Sequence, residues 1–306
     1  MAQGAAVTDV GVAAGGLGTA IAAAIVQFNK ANVMGPLITM SPAPSGTSTV
    51  NFPVYTKHDP TNATYGVDEH ADGAEETAAN LTNIETTAVD CKVLRRAIRA
   101  EITDLSAHGN ADALLVNAGL QLGNDVARKF DAEVCDLLDN FSNNVGHDDA
   151  LTFPIFMDAL ATLEANDAPR PYAAVLHPLQ VYGSFGLSNE FTVTSPANGG
   201  TSSFGGQVPD SVKDQFMGAG FVTTLAGVSI HTTTAVLDGS TGRKEGGMFS
   251  KQAIGCGYID FGGGNFIQMA SEREEVNAKT TLVANAYYQA KELVDVYGVE
   301  IDTEVS

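Results

Sequence analysis

Hydrophobic and polar positions change period several times along this chain. From Asn110 to Phe141 there is no proline, and Leu115, Leu122, Val126, Phe130, Val134, Leu137 and Phe141 recur at steps of three, four or seven. One apolar stripe at 3.6-residue spacing predicts an amphipathic helix. Asp104 or Ser106 is placed to cap its start, and Asn143-Asn144-Val145-Gly146 to end it. About 30 residues at 1.5 Å each give a rod of roughly 45 Å, against about 11–12 residues for an average globular helix. Such a rod, without heptad repeats, predicts a spine that braces a thin, wide molecule.

Period-two patterning flanks a polar stretch upstream of the spine. Val50, Phe52 and Val54 alternate with polar partners between Ser48 and Thr56, which predicts a strand. A second strand is expected from Glu85 to Thr103. Val89, Cys91 and Val93 share one face there, and Ile98, Ala100 and Ile102 share another after a phase break at Arg95-Arg96. The roughly 28 residues between them, from Lys57 to Ile84, are polar and acidic. Loops longer than about 12–15 residues in compact domains are usually functional or disordered. A long projecting hairpin also presents sheet edges that call for a partner.

The rest of the chain reads as mixed α and β. An Ala/Gly/Val-rich start precedes a short helix expected over Thr19–Asn29, with Ile21, Ile25 and Phe28 on one side. This is an arm, and it can lie on its own body or on a neighbouring subunit. A second helix is predicted over Thr152–Asn166 with Phe156, Leu160 and Leu163 inward, then a buried strand over Tyr172–His177 and a helix from Pro178 to Leu187. Ser188–Gly206 carries no core pattern and reads as a mobile loop. Strands follow over Phe221–Thr234, turning at Ala226-Gly227, then a charged turn region over Leu237–Gly247. Further strands are expected over Met248–Phe261 and Phe266–Glu272. Val276–Ile301 fits helix or strand; the alternation of Leu282, Ala284, Ala286 and Tyr288 favours a long strand, with a last one at Val299–Ile301.

Composition narrows the function. The 306 residues are 44% hydrophobic and 17% charged, enough for a sizeable core. A net charge of -20 repels nucleic acid and anionic membranes. Cys91, Cys135 and Cys256 are scattered and odd in number, which points to reduced, buried thiols. The apolar stretch Thr19–Phe28 is too short to span a bilayer, so no membrane insertion is expected.

Motifs for chemistry are sparse. No phosphate-cradling loop or dinucleotide fingerprint is present, and the six histidines show no zinc-ligand spacing, so no cofactor, metal or catalytic residue is assigned. His177 reads as a structural histidine. Glu272, Glu274 and Glu275 around Arg273 read as a solvated or interface-facing turn. The acidic loop with Asp68, Glu69, Glu75 and Glu76 reads as a solvated loop or a docking surface. Arg95, Arg96 and Arg99 form the basic cluster of an acidic chain, and they are expected to pair with acidic residues of an adjacent subunit.

The order of these parts resembles the major capsid protein of tailed double-stranded DNA bacteriophages, the Hong Kong 97-type α+β fold. The resemblance is carried by Asn117–Gly123 and Asp125–Asp131 in the spine, Tyr172–Pro178, Ala226–Thr233, Gly247–Ile254, and Ala284–Leu293 with Tyr297–Ile301. It covers nearly the whole chain. It implies an N-terminal arm (1–45), an extended hairpin loop over a neighbour (46–103), a peripheral domain with the spine helix (104–175 plus 265–306) and an axial domain (176–264). It implies self-assembly into hexamers and pentamers, a separate scaffolding protein, a portal at one vertex and room for a decoration protein. The shell would enclose double-stranded DNA without specific binding, and would be assembled in the bacterial host cytoplasm into the virion capsid. Two other readings remain: an encapsulin-like compartment shell, which shares the fold, and an acidic cytosolic hydrolase, which would be a compact monomer or dimer.

Overall fold

The computed structural model describes residues 22–28, 31–55, 86–147, 149–183, 186–187, 224–239, 242–262, 265–274 and 276–305; for 86 and 104–115 it describes the backbone. The acidic loop with Asp68, Glu69, Glu75 and Glu76, the loop expected at 188–206 and the first part of the arm lie outside these residues.

In chain order the described elements begin with helix α1 (22–28) and strands β1 (Thr39–Pro42), β2 (Thr49–Tyr55), β3 (Thr86–Lys92) and β4 (Leu94–Thr103). The spine α2 (Asp104–Cys135) follows, then a 3₁₀ turn (Leu138–Asn140), β5 (Asn144–Val145), α3 (Phe153–Ala165), β6 (Tyr172–Leu176) and α4 (Pro178–Tyr182). The remaining strands are β7 (Thr224–Leu225), β8 (Val228–Thr232), β9 (Leu237–Asp238), β10 (Arg243–Ser250), β11 (Ile254–Tyr258), β12 (Ile267–Glu274), β13 (Lys279–Glu292) and β14 (Gly298–Glu304).

The spine starts and ends about six residues earlier than its pattern predicts. Thr103 holds the N-cap position, so Asp104 and Ser106 lie inside the helix. The apolar stripe nonetheless stays buried from Leu122 through Val126, Phe130 and Val134, and Leu138 and Phe141 continue it through the 3₁₀ turn. The ambiguous C-terminal stretch is strand. Its 14 residues in β13 bury Leu282, Ala284, Ala286, Tyr288 and Ala290 on one face.

Two sheets share the chain. In the five-stranded sheet β13 is the axis: β4 pairs along one edge, while β12 and β11 pair end to end along the other, with β1 outside β11. The spine covers the inner face, where Phe28, Phe130, Phe266 and Tyr288 form an aromatic cluster of edge-to-face and tilted pairs with ring centroids 5.0–6.4 Å apart. Phe28 belongs to α1, so this part of the arm lies on its own body. A Cβ at Gly123 would sit 2.3 Å from the Ala24 carbonyl oxygen, so α1 approaches the spine only because position 123 has no side chain. Asp131, buried, accepts hydrogen bonds from the amides of Val33 and Met34 at 3.0–3.2 Å and ties the next turn of the arm to the same helix.

The seven-stranded sheet runs β5-β14-β10-β6-β8-β7, with β9 on the edge of β10. Both of its faces are covered, which explains the unbroken apolar run of β6. Val175 and Phe249 face the spine core, while Ala174, Leu176, Met248, Val299 and Ile301 pack with α3. Ala226 and Gly227, both at positive φ, make the two-residue turn expected between β7 and β8.

Three local expectations change. The break in the second hairpin strand falls at Val93, where the chain leaves β2 and joins β13, so it marks a change of sheet rather than a bulge at Arg95-Arg96. The region expected as a charged turn is largely strand. Its charges are accommodated because Arg243 pairs with Asp302 on β14 and Lys244 with Asp238 on β9. Helix α4 stops at Tyr182, where Gly183 turns extended. The sheets also divide the chain at points other than 175/176 and 264/265: β6 straddles the first, β11 belongs with β13, and β14 belongs with β10. No helix among the described residues is long and apolar enough to cross a membrane.

Candidate assembly surfaces

The basic cluster sits on β4, and strand geometry sends its members to opposite faces. Arg96 points inward with Ile98, Ala100 and Ile102. Its Nε donates to Glu133 on the spine at 3.1 Å, and its other nitrogens donate to the Tyr288 carbonyl at 2.8 Å and the Gln289 side chain at 3.1 Å. The guanidinium also lies 4.7 Å over the Tyr288 ring. Arg96 therefore pairs within its own chain, which corrects the expectation that it meets a neighbour's acid.

Arg95 and Arg99 face outward and are exposed. Arg95 Nε donates to the Asn285 side chain at 2.9 Å, leaving most of the guanidinium open. Arg99 makes no ion pair among the described residues. The ladder sets Arg99 opposite Val283 and Ala270, and Glu101 opposite Thr281 and Glu272. The outer face is thus basic toward Arg95 and acidic toward the other end of the strands.

That acidic end is the turn between β12 and β13. Glu272, Arg273 and Glu274 are exposed on β12, and Val276 at the turn is 93% exposed. Lys279 bridges Glu274 at 3.2 Å and Glu101 at 3.1 Å, which ties the turn to β4. These exposed pairs stabilise little on their own. Glu272 and Glu274 stand exposed on the last part of β12.

The hairpin β2–β3 sits on the other end of this outer face. Val50, Phe52, Cys91 and Val93 are buried there against Ile259, Tyr287 and Leu293. Gly257 leaves the room: a Cβ would lie 2.9 Å from Val50 Cγ2. The hairpin base is thereby anchored, and the 56–85 stretch departs from its far end.

Residues screened for chemistry have structural partners. His177 caps α4: its Nδ1 accepts from the Leu179 amide at 3.1 Å, while its own amide donates to Gln180. Burial pushes its pKa down, with Lys244 nearby adding to the shift. The three cysteines are buried, and desolvation pushes the Cys256 thiol up to about 12, far from a reactive thiolate. Sequence reasoning missed a convergence of Asp139, Glu245 and Glu300 at the end of the spine, whose carboxyl oxygens lie within 4.8 Å of one another. The alternation of Glu300 and Asp302 with Val299 and Ile301 is the one local signal that β14 has a polar face.

No protein-family model and no curated protein matches the sequence. Solved structures do. The capsid of Ralstonia phage GP4 matches with a TM-score of 0.64 at 12% identity, over 88% of this chain and 87% of that one. The capsid of cyanophage P-SCSP1u matches with 0.60 at 16% identity, over 90% and 89%. The holo-SrpI encapsulin complex from Synechococcus elongatus PCC 7942 matches with 0.54 at 12% identity, over 89% and 87%. The chain has the α+β fold of phage capsid subunits, as its order of elements implies.

Proposed function

We propose that this chain is a major capsid protein: it self-assembles into hexamers and pentamers that build an icosahedral shell around a phage genome. The observation that carries this reading is the match of phage capsid subunits to about nine-tenths of the chain. The encapsulin reading rests on the same fold. Phage capsids recur among the matched structures, and the acidic stretch between β2 and β3 suits a shell that covers its neighbours.

The role is structural. Residues 1–45 serve as the arm and 46–103 as the extended loop. Residues 104–175 and 265–306 form the peripheral domain around the spine. The axial domain is centred on 176–264, with β6 and β14 as its sheet partners. Residues 56–85, with Asp68, Glu69, Glu75 and Glu76, reach the basic end of the outer face of an adjacent copy, where Arg95 and Arg99 meet them. Glu272, Arg273 and Glu274 make a second contact at the projecting turn. Each contact is weak, and closure of the shell multiplies it. The net charge of -20 keeps the wall from adhering to packed DNA. A separate scaffolding protein sets the curvature, a portal occupies one vertex, and a decoration protein has an outer surface to bind. Assembly takes place in the host cytoplasm and ends in the virion.

Negative-stain electron microscopy of the purified recombinant chain, with sedimentation velocity on the same sample, tests this. Capsomers, tubes or closed shells are expected. A homogeneous monomer or dimer at high concentration, also in crowding agents, overturns it. Shells that co-purify with a bound protein cargo and no requirement for a scaffold favour the compartment instead.

A further inference from the structure

The spine ends against the seven-stranded sheet, and three carboxyl groups meet at that joint. Asp139 comes from the 3₁₀ turn, Glu245 from β10 and Glu300 from β14. The antiparallel register pairs Glu245 with Asp302 and Gly247 with Glu300, so Glu245 and Glu300 are diagonal neighbours on one face. Gly247 leaves room on that face for Leu138, 3.2 Å from where a Cβ would be, and this seats Asp139 over the pair. Glu300 is 5% exposed.

Among the described residues, one cation, Arg243 on β10, bears on these carboxyl groups. Its Nε donates to Asp302 at 3.0 Å and its guanidinium is paired with that carboxylate. From β5, Asn144 presents an uncharged amide. Asn144 supplies an independent observation. Its side chain lies 2.6 Å from Glu300 Oε2, which is short for N–H···O and ordinary for O–H···O. Its Oδ1 is buried without a donor. With the amide turned over and a proton on Glu300, the carboxyl O–H donates to Asn144 Oδ1 across this short distance.

We propose that Asp139, Glu245 and Glu300 form a proton latch, in which a proton held at Glu300 closes the joint between the end of the spine and the seven-stranded sheet, and its loss loosens that joint. Burial, then Asp139 and Glu245, push Glu300 up to about 7 from an ordinary value of 4.5. Burial and Asp139 push Glu245 up as well, against a smaller opposing effect of Arg243, so Glu245 and Glu300 influence each other's protonation. The folded state binds the proton more tightly than the unfolded chain. The stabilisation is therefore complete below about pH 4.5 and is lost as pH rises to about 7. The latch does not depend on the shell reading.

The test compares the full chain with Glu300→Gln, which mimics the protonated form. Unfolding by denaturant is measured across this range and above it, at constant ionic strength with a chelator present. Relative to Glu300→Gln, the wild-type folded-to-unfolded ratio is expected to fall on the order of a hundredfold as pH rises through the window. Asp139→Asn, at an exposed position, is expected to move the fall to lower pH, and it decides the matter if Glu300→Gln does not fold. Parallel profiles for wild type and both variants overturn the latch. So does a calcium- or magnesium-dependent rise in stability at alkaline pH as large as the effect of the proton, which would make the cluster a cation site.

Discussion

The two faces of the five-stranded sheet are made from the same strands and do different work. Toward the spine, Ile98, Ala100 and Ile102 on β4 and Leu282, Ala284, Ala286 and Tyr288 on β13 form an apolar face that meets Phe28, Phe130 and Phe266. Away from it, the intervening residues are Arg95, Arg99 and Glu101 on β4, and Thr281, Val283 and Asn285 on β13. Arg96 and Arg99, three residues apart, show the difference most directly. Arg96 is spent on Glu133, the Tyr288 carbonyl and the Tyr288 ring, whereas Arg99 makes no ion pair among the described residues. The inner face specifies the fold, and the outer face is where the proposed contacts between copies would fall. Net charge and residue type cannot separate the two arginines; the strand's period of two does.

If this division holds, substitutions on the inner face lower stability and those on the outer face lower association. Phe130→Ala removes the ring at the centre of the aromatic cluster and is expected to cost about 3–5 kcal/mol in denaturant unfolding. Gly123→Ala pushes a methyl group onto the Ala24 carbonyl; a loss of about 1–3 kcal/mol is expected, with faster limited proteolysis near 22–28 as α1 lifts off. Arg96→Ala leaves Glu133 with the exposed Lys129 as its remaining ion pair, for about 2 kcal/mol, and a double-mutant cycle with Glu133→Gln should recover much of that as coupling. Arg99→Glu should change unfolding by no more than about 0.5 kcal/mol while sedimentation shows fewer assembled species. Equal assembly with and without Arg99→Glu would break the comparison, because the outer face would then carry no contact.

Much of this arrangement is legible in the sequence where a single period runs long enough. The spine stripe, the alternation of Val50 and Phe52, and that of Leu282 to Tyr288 each report a buried face, and the structure buries Leu122, Val126, Phe130 and Val134 of the stripe, Val50 and Phe52, and Leu282, Ala284, Ala286 and Tyr288. What escapes is where the chain changes partners. Val89, Cys91, Val93 and then Ile98 read as one strand with a slip, yet the slip is a move from β2 to β13, decided by contacts nearly 200 residues away. Met248 to Tyr258 reads as one strand region and is two, because Lys251-Gln252-Ala253 carries the chain from one sheet to the other. Arg243 to Gly247 hides its strand because the partners of Arg243 and Lys244, Asp302 and Asp238, come from other strands. The carboxylate cluster has no local spacing at all: residues 139, 245 and 300 meet only once both sheets and the spine are in place. Of the surface contacts expected from charge, Arg99 and the Glu272–Glu274 turn stand open to solvent, and Arg96 is drawn inward by the one helix residue, Glu133, that sequence spacing could not place beside it.

The spine and β13 also have a mechanical meaning. Thirty-two helical residues and fourteen extended ones both come to about 48 Å, and one apolar layer joins them. Two stiff members bonded along a shear-resistant layer make a beam. A load applied at the turn beyond β12 travels its length with little bending, because sliding helix past strand would mean unpacking Phe130 from Tyr288. A shell tiled from such beams changes curvature at its hinges, not within its struts.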